Sequence, residues 1–278
     1  MKYSFMSFSC PDLSLDQMLA VAERYGYNGV EPRVASKHKH GVELETTPQE
    51  REAIRLKAAG RIKFSCLATS LTYADPKTSA KNTEETLRYI DLAADTGAPS
   101  IRVFGGVIPE GVTREAAIDL VSKSLDSVAD HAAKRGVAVC LETHDDWCDP
   151  ANMAAVMKKV NHPAIRVNWD ILHPVLKENK TIEESFQALK SWIGHVHFHD
   201  YVLIFKDKNN YKIELRPIGQ GDVDHRSAVK LLKSISYPGW LSGEWINWQP
   251  YETHLPRELA VMKGYDLEVS ARPLTLTC

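Results

Sequence analysis

Short β-rich apolar runs alternate with longer helical patterns about eight times, and this alternation limits the possible folds more than any other feature of the chain. The strand candidates are 2–8 (KYSFMSF), 28–33 (NGVEPR), 62–70 (IKFSCLATS), 100–106 (SIRVFGG), 137–143 (VAVCLET), 165–170 (IRVNWD), 193–200 (IGHVHFHD) and 240–245 (WLSGEW). Between them, 13–26 places Leu15, Met18, Leu19 and Ala22 at helical spacing and stops on Gly26, while 47–60 carries Pro48 at its first helical position and ends on Gly60. The stretches 83–97, 113–136, 150–161, 182–192, 225–236 and 253–270 complete the helix candidates. Strand followed by helix implies parallel strands joined by right-handed crossovers. Eight such units in 278 residues predict a single (β/α)8 TIM-barrel domain spanning 1–278. The rival, a doubly wound open sheet, would announce itself with a Gly-rich turn after the first strand, and SFSCPD (7–12) is not one. The stretch 201–221 exceeds an ordinary strand-to-helix loop and reads as a hairpin turned by Lys208-Asn209-Asn210, placed to cover a site.

Composition narrows the function classes. The chain is 44% hydrophobic and 25% charged with a net charge of −2, the profile of a soluble globular protein. There is no Lys/Arg block, which argues against nucleic acid or an anionic membrane as partner. No apolar run approaches the ~18 residues needed to span a bilayer. The N-terminus lacks the apolar core of a signal peptide. Five scattered cysteines (Cys10, Cys66, Cys140, Cys148 and Cys278) without C-x-x-C spacing read as reduced thiols, which points to the cytoplasm.

Chemistry gathers at the ends of the last four strands. Period two puts Ala138, Cys140 and Glu142 on one face, Arg166, Asn168 and Asp170 on the next, then His195, His197 and His199, then Trp240, Ser242 and Glu244. Each opposite face is apolar and belongs against the helices. Polar lining is unusual for a packed barrel core, and active sites of this architecture form at the C-terminal rim. Buried acids are costly unless paired or bound to a cation. Glu142, Asp170, His197 and Glu244, one per strand, therefore form a candidate divalent-metal site. Three oxygen donors and one imidazole favour Mn²⁺ or Mg²⁺, with Co²⁺ and Zn²⁺ open. His195 lies deeper on its strand and reads as a core residue.

At these residues the chain resembles the sugar isomerase/epimerase superfamily with a xylose-isomerase-like barrel. The carriers are LETH (141–144), WDILH (169–173), HVHFHD (195–200), PIGQGDVD (217–224) and YPGWLSGEW (237–245), and the likeness covers nearly the whole chain. The resemblance implies metal ligation by the same four residues. It also implies isomerisation or epimerisation of a sugar or keto-sugar through a metal-held enediolate, with Glu142 and Glu244 as acid/bases on opposite faces of the substrate. His173 is matched in relatives and would hold a substrate hydroxyl, and His144 is the candidate acid/base of the lyase branches. Dimers or tetramers are common in relatives, so a homo-oligomer is open.

Other residues carry a site reading beside a structural one. Arg216 is a candidate for a substrate oxygen or phosphate, or for a structural ion pair. His199, Glu31 and Arg102 are candidate substrate contacts, and Trp147, Trp245 and Trp248 could wall the pocket or pack in the core. AP endonucleases of the superfamily carry extra His ligands that LATSLTY (67–73) and RVFGG (102–106) lack. Ketose epimerases have Gly-Glu and a substrate-binding Arg after the ligand His, where this chain has Phe198, His199, Asp200 and then Leu203. That departure points to a larger or oxidised sugar. Two alternatives stand beside the isomerase reading: a lyase or dehydratase that expels a leaving group with help from His144 or His199, and a non-catalytic partner subunit.

Overall fold

The computed structural model describes residues 1–207 and 210–271. A ring of parallel strands runs β1 (Lys2–Met6), β2 (Gly29–Glu31), β3 (Lys63–Phe64), β4 (Leu67–Ala68), β5 (Ser100–Phe104), β6 (Ala138–Glu142), β7 (Ile165–Asp170) and β8 (Ile193–Phe198). An antiparallel hairpin, β9 (Asp200–Asp207) and β10 (Asn210–Arg216), follows β8, and β11 (Trp240–Gly243) pairs with β8 on one side and β1 on the other. The helices are α1 (Leu15–Tyr25), α2 (Pro48–Ala58), α3 (Ser79–Thr96), α4 (Arg114–Arg135), α5 (Pro150–Val160), α6 (Leu172–Glu178), α7 (Ile182–Leu189), α8 (His225–Ser234) and α9 (Tyr251–Ala271). This is the expected TIM barrel.

The expected third strand, 62–70, is broken. Its first part pairs with β2 and its second with β5, while Ala68 also bridges to Arg33 just beyond β2, so the second part is bonded on both sides. The break is held by Ser65 N donating to Val30 O and Thr69 N to Arg102 O. Two short pieces, β3 and β4, therefore stand at the two ends of the sheet where the barrel closes.

Two further differences concern helices. α3 starts at Ser79 rather than 83, because the Ser79 amide already donates to Asp75 O. α6 was not anticipated; it is seven residues long, too short to show a periodic pattern, and follows directly on Asp170. Local chemistry explains the other ends. Ser14 and Gln17 form a capping box on α1, Thr47 and Glu50 another on α2 behind Pro48, and α4 stops where Gly136 takes a left-handed φ of 69°. The hairpin lies where 201–221 predicts it, although its expected turn at Lys208–Asn209 falls outside the described residues.

Val139, Leu141, Val167, Trp169, Val196, Phe198 and Leu241 are fully buried on the outward faces of their strands, forming the layer between sheet and helices. Among the described residues the four cysteines are free and buried, while Cys278 lies outside them. No described helix is long and apolar enough to cross a membrane.

Candidate metal centre

The strand ladders set the inner-face residues side by side. Glu142 of β6 pairs in register with Asn168 of β7, and Asp170 with His197 of β8 across a register shift at Val167/Asn168. Ser242 of β11 sits opposite His197, and Glu244 follows at the strand end with its amide donating to Phe198 O. One ligand atom from each of Glu142, Asp170, His197 and Glu244 lies within 4.8 Å of the others, and all four residues are buried.

His197 stands at the centre. Its Nδ1 is 3.1 Å from Glu244 Oε2 and 3.6 Å from Glu142 Oε1, and its Nε2 is 3.1 Å from Glu31 Oε1. Glu142 places its other oxygen 3.0 Å from Arg102 Nε, and the Arg102 guanidinium lies 4.1 Å over the Phe104 ring. On the far side, His199 Nε2 donates to Asp170 Oδ2 at 2.9 Å, His173 Nε2 lies 3.6 Å from the same oxygen, and Leu172 N donates to Asp170 Oδ1 at 2.8 Å.

The electrostatics follow from this crowding. Burial alone would raise the carboxyl pKa values. Arg102 and then His197 nevertheless hold Glu142 below its ordinary value, His197 brings Glu244 down to about 2, and His199 and His173 pull Asp170 down. Burial opposes a charge on His197, but Glu31, Glu142 and Glu244 push its pKa well above the usual imidazole value. Three buried carboxylates gathered this closely need positive charge beside them, which Arg102, His197 and His199 supply in this structure. The donor set, three carboxylates and one imidazole nitrogen, fits a divalent ion.

The remaining candidates separate into two groups. His144, His173 and His199 are brought together beside Asp170: the His144 and His173 rings are 4.4 Å apart, and those of His173 and His199 5.9 Å. His144 Nδ1 lies 2.9 Å from Asp145 Oδ1. Burial lowers its pKa, yet the Asp145 contact and the Glu142 charge raise it overall. Arg102 is buried against Glu142, as described. Glu31 faces inward to histidines rather than to the open rim, with Oε2 2.8 Å from His195 Nε2. Arg216 is not brought to the centre; it makes a two-point ion pair with Glu214 on its own strand and is half-exposed.

The tryptophans are largely structural. Trp147 is buried, with its indole N–H donating to Gly106 O at 2.8 Å, and Trp245 is buried against His254. Trp248 is partly buried and lies over the same His254 ring.

Sequence reasoning missed two contacts at the centre. Asn168 Nδ2 lies 3.2 Å from His197 Nδ1, and Asp145 pairs with His144. Both were visible: Asn168 as the inner-face residue beside Asp170, Asp145 as the acid next to His144. The PIGQGD turn, singled out by resemblance, is clasped by Asp200, which accepts from Gly219, Gly221 and Val223 amides.

Comparison with known proteins agrees with the barrel fold. A 3-dehydroshikimate dehydratase of Bacillus anthracis is 23% identical over 284 residues, covering 97% of this chain and 99% of that protein. An L-ribulose 3-epimerase of Methylomonas sp. is 25% identical over 255 residues, covering 88% of this chain and 83% of that one. A crystal structure of IolI protein with a bound zinc atom superposes with a TM-score of 0.77 at 18% identity, covering 99% of this chain and all of that one. The dehydratase and the epimerase differ in reaction, so the resemblance extends to the scaffold more firmly than to the substrate. The family model for xylose isomerase-like TIM barrels matches residues 19–265, and the chain belongs to that family.

Proposed function

We propose that the protein is a divalent-metal-dependent isomerase or epimerase of a sugar or keto-sugar, with Glu142 and Glu244 as its paired acid and base. The observation that carries this reading is the placement of two buried carboxylates, from β6 and the end of β11, 3.6 and 3.1 Å from His197 Nδ1. A carboxylate within hydrogen-bond reach of a carbon-bound proton next to a carbonyl can remove it, and a second one can return a proton elsewhere. A bound divalent cation supplies Lewis-acid stabilisation of the negative charge that builds on the carbonyl oxygen. The protein's own groups do the rest. Arg102 keeps Glu142 ionised and fixed through its contact with Oε2. His173 and His199 orient Asp170 and offer ring nitrogens to substrate hydroxyls. Manganese is the ion this carboxylate-rich set favours.

The same proton removal can lead to expulsion of a neighbouring hydroxyl, and this second reading, a dehydratase or lyase, is favoured by His144. Its raised pKa and its place beside His173 suit it to protonate a leaving group. The similarity to a dehydratase and to an epimerase supports both branches equally.

Metal analysis of the purified protein, then solvent-deuterium uptake into a panel of ketoses, keto-inositols and keto-acids with Mn²⁺ added, tests the proposal. Uptake at one carbon with no new absorbance supports the isomerase or epimerase. Uptake with a rising enone absorbance supports elimination. Full metal occupancy with no exchange on any compound removes both readings.

A further inference from the structure

We infer that Glu31 is a positioning residue for the metal centre: it holds the Nε2 proton of His197 so that the Nδ1 lone pair faces the cation. The inference rests on reading Glu142, Asp170, His197 and Glu244 as metal ligands. Glu31 lies at the end of β2, three neighbours from β8 around the ring through β1 and β11, and its side chain crosses the barrel interior. It is fully buried. Both of its oxygens are engaged, Oε2 at 2.8 Å from His195 Nε2 and Oε1 at 3.1 Å from His197 Nε2.

An ionised carboxylate only accepts hydrogen bonds. Both histidines must therefore carry their proton on Nε2 to satisfy it. For a neutral His197 this leaves the lone pair on Nδ1, the nitrogen that faces Glu244 and Glu142. A ring nitrogen bonded to a carboxylate while the other meets a metal is the arrangement that fixes tautomer and ring angle and raises ligand basicity. His195 completes the device by occupying the second oxygen of Glu31. Its own Nδ1 is buried with no hydrogen-bond partner among the described residues, so the ring's polar contact is spent on Glu31. An acid so placed is fully buried behind two histidines, and its function is exerted through His197.

Titration calorimetry of the metal-stripped full-length chain with Mn²⁺ tests this. Glu31→Ala, shown by circular dichroism to be folded, should bind Mn²⁺ about 10–100-fold more weakly than the wild type. Glu31→Gln, whose amide oxygen still accepts from Nε2, should lose less. Undiminished binding by folded E31A overturns the inference and leaves the metal reading standing. Absence of binding by the wild type overturns the metal reading and this inference with it.

If E31A does not fold, E31Q carries the test by nuclear magnetic resonance of ¹⁵N-histidine-labelled protein loaded with Zn²⁺. Wild-type His197 should be protonated at Nε2 and metallated at Nδ1, with its ring proton far downfield. In E31Q that proton should move upfield, because its acceptor has lost its charge. An unmoved resonance, or metallation at Nε2, overturns the inference.

Discussion

The two halves of the barrel are built differently. β6, β7 and β8 run five, six and six residues and are joined by ladders that put Glu142 beside Asn168 and Asp170 beside His197. β2, β3 and β4 have three, two and two residues, and the chain after β2 wanders from 32 to 47 before α2 begins. That segment is held by scattered contacts. His40 Nδ1 accepts from Val42 N, its Nε2 donates to Arg33 O, and Glu43 accepts from Ala35 N, with Ala35 and Lys37 at positive φ. Long ladders fix side chains that must converge on one point. An irregular loop shapes a wall, and walls can vary without moving the centre. The contrast predicts that changes in the long-strand half strike chemistry and that changes in the 32–47 loop strike stability or substrate fit, Glu31 being the one short-strand residue that reaches across to His197.

The largest effect should come from the long-strand half. Glu142→Gln and Glu244→Gln each keep side-chain size but remove the group able to take a proton. Each should lower kcat by about 10²–10⁴-fold with the fold intact by circular dichroism. Deuterium exchange into the substrate is the measurement. Appreciable exchange in either variant would break the two-carboxylate scheme and the contrast with it.

Which parts were legible in the sequence follows the same division. Glu142, Asp170, His197 and Glu244 stood out because each ends a run of regular alternation, and alternation reports which face a side chain takes. Glu31 also ends a strand, but a three-residue strand offers no alternation, so its inward turn toward His195 and His197 could not be distinguished from a turn toward substrate. The break at Ser65 and Cys66 was hidden because an apolar string reads the same whether its ladder is continuous or broken. Arg216 showed the limit of side-chain type alone: a basic residue beside a recognisable turn found its partner, Glu214, two residues away on its own strand.

A second test probes how far the long-strand half depends on its loops. Gly221 lies in the turn clasped by Asp200, and a Cβ there would collide with the Tyr201 carbonyl and the Asp200 carboxylate. The backbone carbonyl cannot swing away as a flexible side chain would. Gly221→Ala should cost about 3 kcal/mol of stability by urea unfolding. His199 immediately precedes Asp200 and bonds Asp170, so metal affinity should fall as well. A stable variant with unchanged affinity would mean that the turn is independent of the centre.

The short-strand half should yield to acid first. Burial pushes the His40 pKa down from 6.5 to about 4, so the folded protein holds this imidazole neutral while the unfolded chain protonates near the ordinary value. The unfolded state therefore binds more protons between those two values, and stability falls as pH drops through that window. The loss from pH 7 to pH 5 is roughly 2 kcal/mol from this group. Unfolding free energies at the two pH values should differ less in His40→Gln than in the wild type by about that amount. Hydrogen exchange at pH 5 should show protection lost over 32–47 before it is lost over β6 to β8. An equal pH dependence in the two proteins would remove His40 as the loop's anchor.

The smallest effect should come from the surface of that same loop, where Lys39 pairs with Asp12 at 2.8 Å with side chains 66% and 81% exposed. Water already solvates both charges, and two long side chains lose freedom to hold the contact. Asp12→Asn should therefore leave the urea unfolding midpoint unchanged within the error of the measurement. This pair and His40 attach the same segment, one through an exposed charge and one through a buried neutral ring. If D12N destabilises as much as H40Q does at pH 7, the loop is held from its outer surface, and the neutral imidazole is not what keeps the short-strand half in place.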